Sequence, residues 1–154
     1  MKLSMFTDHC LRVLMYLATD PERRVTVGQI SIAFSLSETT LTRVVVFLAK
    51  CKWVVTARGK GGGVTLAKSA IDIRVGQVVR EAEGVALPAD CADNRHDKCA
   101  ILDCCELRTA LVEAAAASYA VLDRYSLADI TKNRQALYSL LYFRPVEKAG
   151  QSSA

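Results

Sequence analysis

Four of the six cysteines in the chain fall within the fifteen residues from Cys91 to Cys105. The stretch reads Cys91-Ala-Asp-Asn-Arg-His-Asp-Lys-Cys99-Ala-Ile-Leu-Asp-Cys104-Cys105, and up to Cys99 it is polar, charged and opened by Pro88. That composition predicts an ordered or ligand-ordered loop rather than a helix. Thiolates gathered by a loop suit a zinc ion or an iron–sulfur cluster, because soft sulfur donors match those metals. The rest of the chain has to supply the rigid elements that such a loop would act on.

No run approaches the roughly 18 apolar residues of a membrane span. The N-terminus also lacks the basic, apolar, then small-residue pattern of a signal peptide. The expectation is a cytoplasmic protein with no membrane partner, in a compartment where clustered cysteines bind metal or do redox chemistry more often than they form disulfides. At 154 residues the chain has room for one domain with a core and one extended element. Its net charge of +4 is unevenly placed. Residues 1–84 hold 12 Lys/Arg against 7 Asp/Glu, whereas residues 85–154 hold 8 against 9. The basic half would attract a polyanion, although an uneven solvated surface has the same composition.

Thr7 and Asp8 can cap a first helix, with Leu11, Leu14, Leu17 and Ala18 at three-and-four spacing on its inner face. Asp20-Pro21 ends it. Thr26-Val-Gly-Gln29 fits a capping box that opens a short helix with Ile30, Ala33 and Phe34 inward. After the break Ser35-Leu36-Ser37, Ser37 caps a third helix from Glu38 to about Lys50, whose apolar positions are Leu41, Val44, Val45 and Leu48. Two short helices around a tight turn form a helix-turn-helix pattern, a pattern that ordinary helical hairpins share. The candidate groove-facing residues at the start of the second helix are Ser37, Glu38, Thr39, Thr40, Thr42 and Arg43, short side chains and one Arg that can reach base edges.

Trp53 to Ala57 is a strand by its β-branched content, Arg58-Gly-Lys-Gly-Gly-Gly63 a flexible basic turn, and Val64 to Ala67 a second strand. A hairpin with Arg58 and Lys60 at its tip, directly after the recognition-helix candidate, is the wing of a winged helix, free to approach a phosphate backbone or minor groove. The glycines do not form a phosphate-binding loop, since neither G-x-x-x-x-G-K-[ST] nor G-x-G-x-x-G precedes a helix here. The fold class expected is therefore mainly α with a small β-hairpin wing.

A further helix is expected over Ile73 to Glu83, with Val75, Val78, Val79 and Ala82 on one face and Gly84 at its end. From about Leu102 a long helix runs to about Tyr125. Leu107, Leu111, Ala114, Ser118, Val121 and Tyr125 form its heptad seam, and Ala114 to Ala117 let a partner approach closely. Its length favours a homodimer over packing on the chain's own core, and two-fold symmetry suits palindromic double-stranded DNA. Leu127 to Asn133 reads as a short helix, and 136–143 as a packing segment. The organisation expected is a winged helix-turn-helix domain over 1–84, a cysteine loop over 85–106, a dimerisation helix and packing segment over 107–143, and a disordered tail over 144–154.

Cys91-x7-Cys99-x5-Cys105 offers three thiolates, with Cys104 competing for the last place. The spacing matches none of the common paired zinc knuckles. His96 is a possible ligand, but loop histidines are more often solvated. Cys105 is expected in the first turn of the long helix, where the positive helix end favours a thiolate. Cys104 would then point about 100 degrees away around the helix. Cys10 and Cys51 read as small buried hydrophobes.

The motifs Phe6-Thr-Asp-His-Cys-Leu-Arg12, Arg58-Gly-Lys-Gly-Gly-Gly-Val-Thr-Leu66, Ile73-Arg-Val-Gly-Gln-Val-Val-Arg80 and the three spaced cysteines resemble, over about residues 1–143, a group of bacterial winged-helix iron–sulfur regulators. The group includes the nitric-oxide-sensing NsrR type, the IscR type and the iron-responsive RirA type. The resemblance implies a cluster, 4Fe–4S or 2Fe–2S, held by Cys91, Cys99 and Cys105. In NsrR-type members an aspartate of the partner subunit completes the set, and it falls on Asp8. IscR-type members use a histidine shortly after the third cysteine, where this chain has Leu107 and Arg108. RirA-type members share the seven-residue gap but tend to lack the aspartate. The implied protein is a transcriptional repressor whose operator binding responds to nitric oxide, with iron, redox or cluster-free thiol or zinc sensing as the alternative. No nucleophile–base arrangement supports an enzyme.

Overall fold

The computed structural model describes residues 3–84, 101 and 104–142. Helix α1, Met5–Thr19, is the axis of the fold. It touches the helices Glu38–Lys50, Val75–Glu83, Leu127–Ile130 and Arg134–Tyr142 and the strand Gly63–Leu66, and buries Cys10, Val13, Leu14, Leu17 and Ala18. Its cap is not Thr7 or Asp8. Ser4 accepts from the Thr7 N–H, and the Ser4 N–H donates to Glu83 Oε1 at 2.7 Å. The cap therefore lies three residues ahead of Thr7, and a carboxylate from the helix Val75–Glu83 also engages its backbone.

Helix α2, Val27–Phe34, opens with the capping box between Thr26 and Gln29. Ser35 then turns the chain in the left-handed region, φ 54°. Ser37 caps α3, Glu38–Lys50, by accepting from the Thr40 N–H. The two helices meet at 120°, as a helix-turn-helix requires. On the inner side of α3, Leu41, Val44, Val45 and Leu48 are all buried.

Strand β1, Val54–Ala57, pairs antiparallel with β2, Gly63–Leu66, in the register Val54–Leu66 to Ala57–Gly63. Trp53 is buried ahead of the strand and meets Phe47 edge to face, anchoring the hairpin to α3. Val25 and Val64 exchange N–H···O bonds, so the segment before α2 adds a third short edge to the wing.

A 3-10 turn, Ala70–Asp72, leads into α4, Val75–Glu83, which ends at Gly84 with φ 70°. Most of the expected cysteine loop, and the expected tail, lie outside the described residues. Helix α5, Glu106–Asp123, starts later than Leu102 and packs on α4. It buries none of its residues in this chain, and Leu107, Val121 and Tyr125 of the expected seam are exposed. Helix α6, Leu127–Ile130, is one turn, stopped short of Asn133. Helix α7, Arg134–Tyr142, folds back on α1, with Tyr142 between Tyr138 and Tyr16 at 4.3 and 4.7 Å.

Candidate nucleic-acid interface and cysteine site

With one side of α3 committed to the core, Glu38, Thr39, Thr42, Arg43, Val46 and Lys50 are left on the outside. The cap absorbs two of the expected groove residues. Ser37 Oγ accepts from the Thr40 N–H at 3.2 Å and bonds Thr40 Oγ1 at 2.8 Å, and Thr40 is half-buried. Thr42 Oγ1 donates to the Glu38 carbonyl at 2.8 Å, so its proton is used within the helix. Thr39 and Arg43 project from the same open face.

Arg58 and Lys60 are exposed on the wing turn. Gly59 and Gly61 there have φ of 87° and 80°, and a β-carbon at Gly62 would lie 2.5 Å from the Ala57 carbonyl. The turn is thus a tight backbone shape that its glycines allow. Arg24, which no motif singles out, joins it by donating from Nη1 to the Gly61 carbonyl at 3.4 Å. The signal for it was the β-branched run Val25-Thr26-Val27, which can pair with a strand.

Cys91, Cys99 and His96 lie outside the described residues. Cys105 is the N-cap of α5 rather than a residue of its first turn. It is half-buried, and its side chain makes no cap bond. Cys104 belongs to the preceding turn, where its thiol faces the Ile101 carbonyl at 3.6 Å, and it is exposed. Asp8, released from capping by Ser4, holds Arg12 at 2.8 Å. Burial works to raise the Glu83 carboxyl, but its bonds with Thr7 and Ser4 outweigh this and hold it low. Glu83 thereby ties the end of α1 that bears Asp8 to the point where the cysteine stretch leaves α4. Among the described residues no three His, Cys, Asp or Glu side chains converge on one point. Cys105 and Asp8 are both donors that an iron–sulfur cluster can use, and neither is consumed by capping its helix. Cys10 is fully buried as expected, while Cys51 is half-buried against the core.

The model of the Rrf2 family, described as iron-dependent transcriptional regulators, matches residues 3–133. The chain belongs to the Rrf2 family. It is 41% identical over 142 residues to the HTH-type transcriptional regulator NsrR of Geobacillus kaustophilus, covering 92% of this chain and 97% of that protein. It is 39% identical, with the same coverage, to NsrR of Bacillus subtilis. Among solved structures, T. potens IscR superposes with a TM-score of 0.70 at 27% identity, over 86% of this chain and 88% of that one. CymR of B. subtilis, at 24% identity and a TM-score of 0.68, covers 86% and 98% and shares the fold. As an Rrf2 protein the chain is a transcriptional regulator rather than an enzyme, in the company of DNA-binding regulators. No single helix among the described residues is long and apolar enough to cross a membrane.

Proposed function

We propose that this chain is a homodimeric, cytoplasmic repressor whose hold on a palindromic operator depends on a bound iron–sulfur cluster and is lost on exposure to nitric oxide. One observation carries the reading: Cys105 stands at the start of a helix whose other end is clamped to the winged-helix domain, while the face between is left unburied. Whatever orders the start of α5 therefore acts on α4 and, through α1, on α3.

Cys91, Cys99 and Cys105, with Asp8 of the partner subunit, would hold the cluster. A bound cluster supplies iron that small oxidants and nitric oxide can attack, and the aspartate, a harder donor than a thiolate, makes its corner the labile one. Thr39, Thr42 and Arg43 enter the major groove, with Ser37 and Thr40 shaping the start of the helix. Arg58 and Lys60 meet phosphates or the minor groove from the wing, and phosphate neutralisation makes the affinity salt-dependent. The exposed Leu107, Val121 and Tyr125 pair with their copies in the partner. Loss of order at Cys105 shifts the pair of recognition helices away from the spacing that fits two half-sites.

The family description favours a second reading, iron-responsive control by the same residues, and the exposed Cys104 thiol favours a redox one, cluster-free or with zinc. Anaerobic purification, a visible spectrum and an operator shift assay with and without nitric oxide separate them. Coloured protein released by nitric oxide supports the first reading. Colourless protein that responds to oxidants supports the thiol or zinc reading, and coloured protein indifferent to nitric oxide but released by iron chelation supports the iron one.

A further inference from the structure

Val46 is 64% exposed, although Val44 and Val45 before it are buried and Phe47 after it is half-buried. A single exposed valine needs no explanation by itself. Its position is what counts. With Thr39, Thr42 and Arg43 it completes an i, i+3, i+4, i+7 row along the open face of α3, the spacing by which a straight recognition helix meets successive base pairs. Thr42 lies one turn before Val46, so the two side chains are neighbours on the helix surface. Because Thr42 Oγ1 is bonded back to the Glu38 carbonyl, the rest of its β-branched side chain, the methyl, is the group left to face outward. Thr42 and Val46 thus lay an apolar strip alongside the row formed by the polar Thr39 and the cationic Arg43. An aliphatic side chain can neither donate nor accept, and the base-edge group in the major groove that rewards it is the C5 methyl of thymine.

We infer that Val46, backed by the Thr42 methyl, reads a thymine methyl in each half-site and so sets a preference for A·T over G·C there. This rests on the reading of α3 as the groove-entering helix. The test begins by enriching duplex DNA from a random library on the full-length protein, purified anaerobically. Each thymine of the enriched duplex is then replaced singly by uracil, which removes the methyl and leaves the hydrogen-bonding edge intact. Loss of one methyl contact should weaken binding about fourfold at one or two positions per half-site. Val46→Ala should bind the thymine duplex weaker by a similar factor and become indifferent to uracil at that position, with an unchanged melting temperature. Uracil substitutions without effect anywhere, or a uracil penalty undiminished in Val46→Ala, would overturn the inference while leaving the enriched duplex as proof of DNA reading. Enrichment of no sequence at all would remove the DNA reading, and the inference with it.

Discussion

The carboxylate of Asp123 lies against the bare Cα of Gly76, where a β-carbon would overlap its Oδ1 and come within 2.9 Å of the Asp123 backbone nitrogen. The same carboxylate accepts both arms of the Arg80 guanidinium, at 2.9 and 2.6 Å. The Arg80 guanidinium also stands 5.3 Å from the ring centre of Tyr119. Immediately beyond, the Val75 N–H donates to the Tyr125 carbonyl and the Leu127 N–H to the Ile73 carbonyl. The C-terminal end of α5 is therefore fixed on α4 by main chain and by an ion pair, whereas its start carries Cys105. The pair is about two-fifths exposed, so its own worth is at most about 1 kcal/mol. Its value is geometric.

Gly76→Ala should cost about 1–3 kcal/mol, since the overlap outweighs the helix-propensity gain of about 1 kcal/mol that alanine otherwise brings. Asp123→Ala alone should cost under about 1 kcal/mol. Combined, the two should be less damaging than their sum, because removing the carboxylate relieves part of the overlap. Urea denaturation of the four proteins measures this directly. Additive losses would show that the side chain is not what Gly76 accommodates.

Replacing Arg58 or Lys60 by alanine should weaken DNA binding about equally across sequences and lower the slope of log affinity against log salt by about one each, the mark of a phosphate contact. Arg43→Ala should act differently, weakening the preferred duplex more than random DNA. Fluorescence anisotropy over a salt series distinguishes them. A wing substitution that alters sequence preference without changing the salt slope would place Arg58 or Lys60 on bases instead.

What was legible in the chain is what local chemistry decides. The Thr26–Gln29 box and the Ser37 cap each act across three residues, and both stand where their spacing puts them. The buried faces of α2 and α3 follow from periodicity in the same way. The misses came from local and distant partners alike. Ser4 rather than Thr7 or Asp8 caps α1, and its own N–H is held by a carboxylate 79 residues away. Arg24 joins the wing because Val25 pairs with Val64. The far end of α5 falls at Asp123 because Arg74 and Ser126 bridge immediately after it, and no heptad pattern contains that fact. Of the four proposed ligands, the described residues include Cys105 and Asp8.

Cys104 and Cys105 should behave oppositely despite being adjacent. Cys105→Ser in anaerobically purified protein should abolish the visible absorbance, as should Cys99→Ala, because a proposed thiolate ligand is removed in each. Cys104→Ser should retain the absorbance, since that thiol faces solvent and the Ile101 carbonyl from a separate turn. Asp8→Ala should keep part of the colour and lose it faster in air, while Asp8→Asn separates the loss of charge from the loss of the oxygen donor. Iron and sulfide content per chain quantify the outcome for all five variants. Full iron in Cys105→Ser would break the ligand set.

The buried thiol of Cys10 supplies a pH test that is independent of any metal content. Burial first, and then the neighbouring Cys51, push it up from 9.0 to about 12. Below pH 9 both the folded and unfolded chains keep this proton, so Cys10 adds no pH dependence there. Between 9 and about 12 the unfolded chain releases it while the folded chain retains it, so the unfolded state gains and stability must fall as pH rises. Cys10→Ala, which leaves a small cavity, should be less stable at neutral pH but flatter above pH 9. Alkylation at pH 8 should mark Cys104 in the native protein and reach Cys10 only after urea is added, as peptide mass spectrometry would show. Equal labelling of the two thiols without urea would mean that the contact of α1 with α3 opens far more readily than its packing implies.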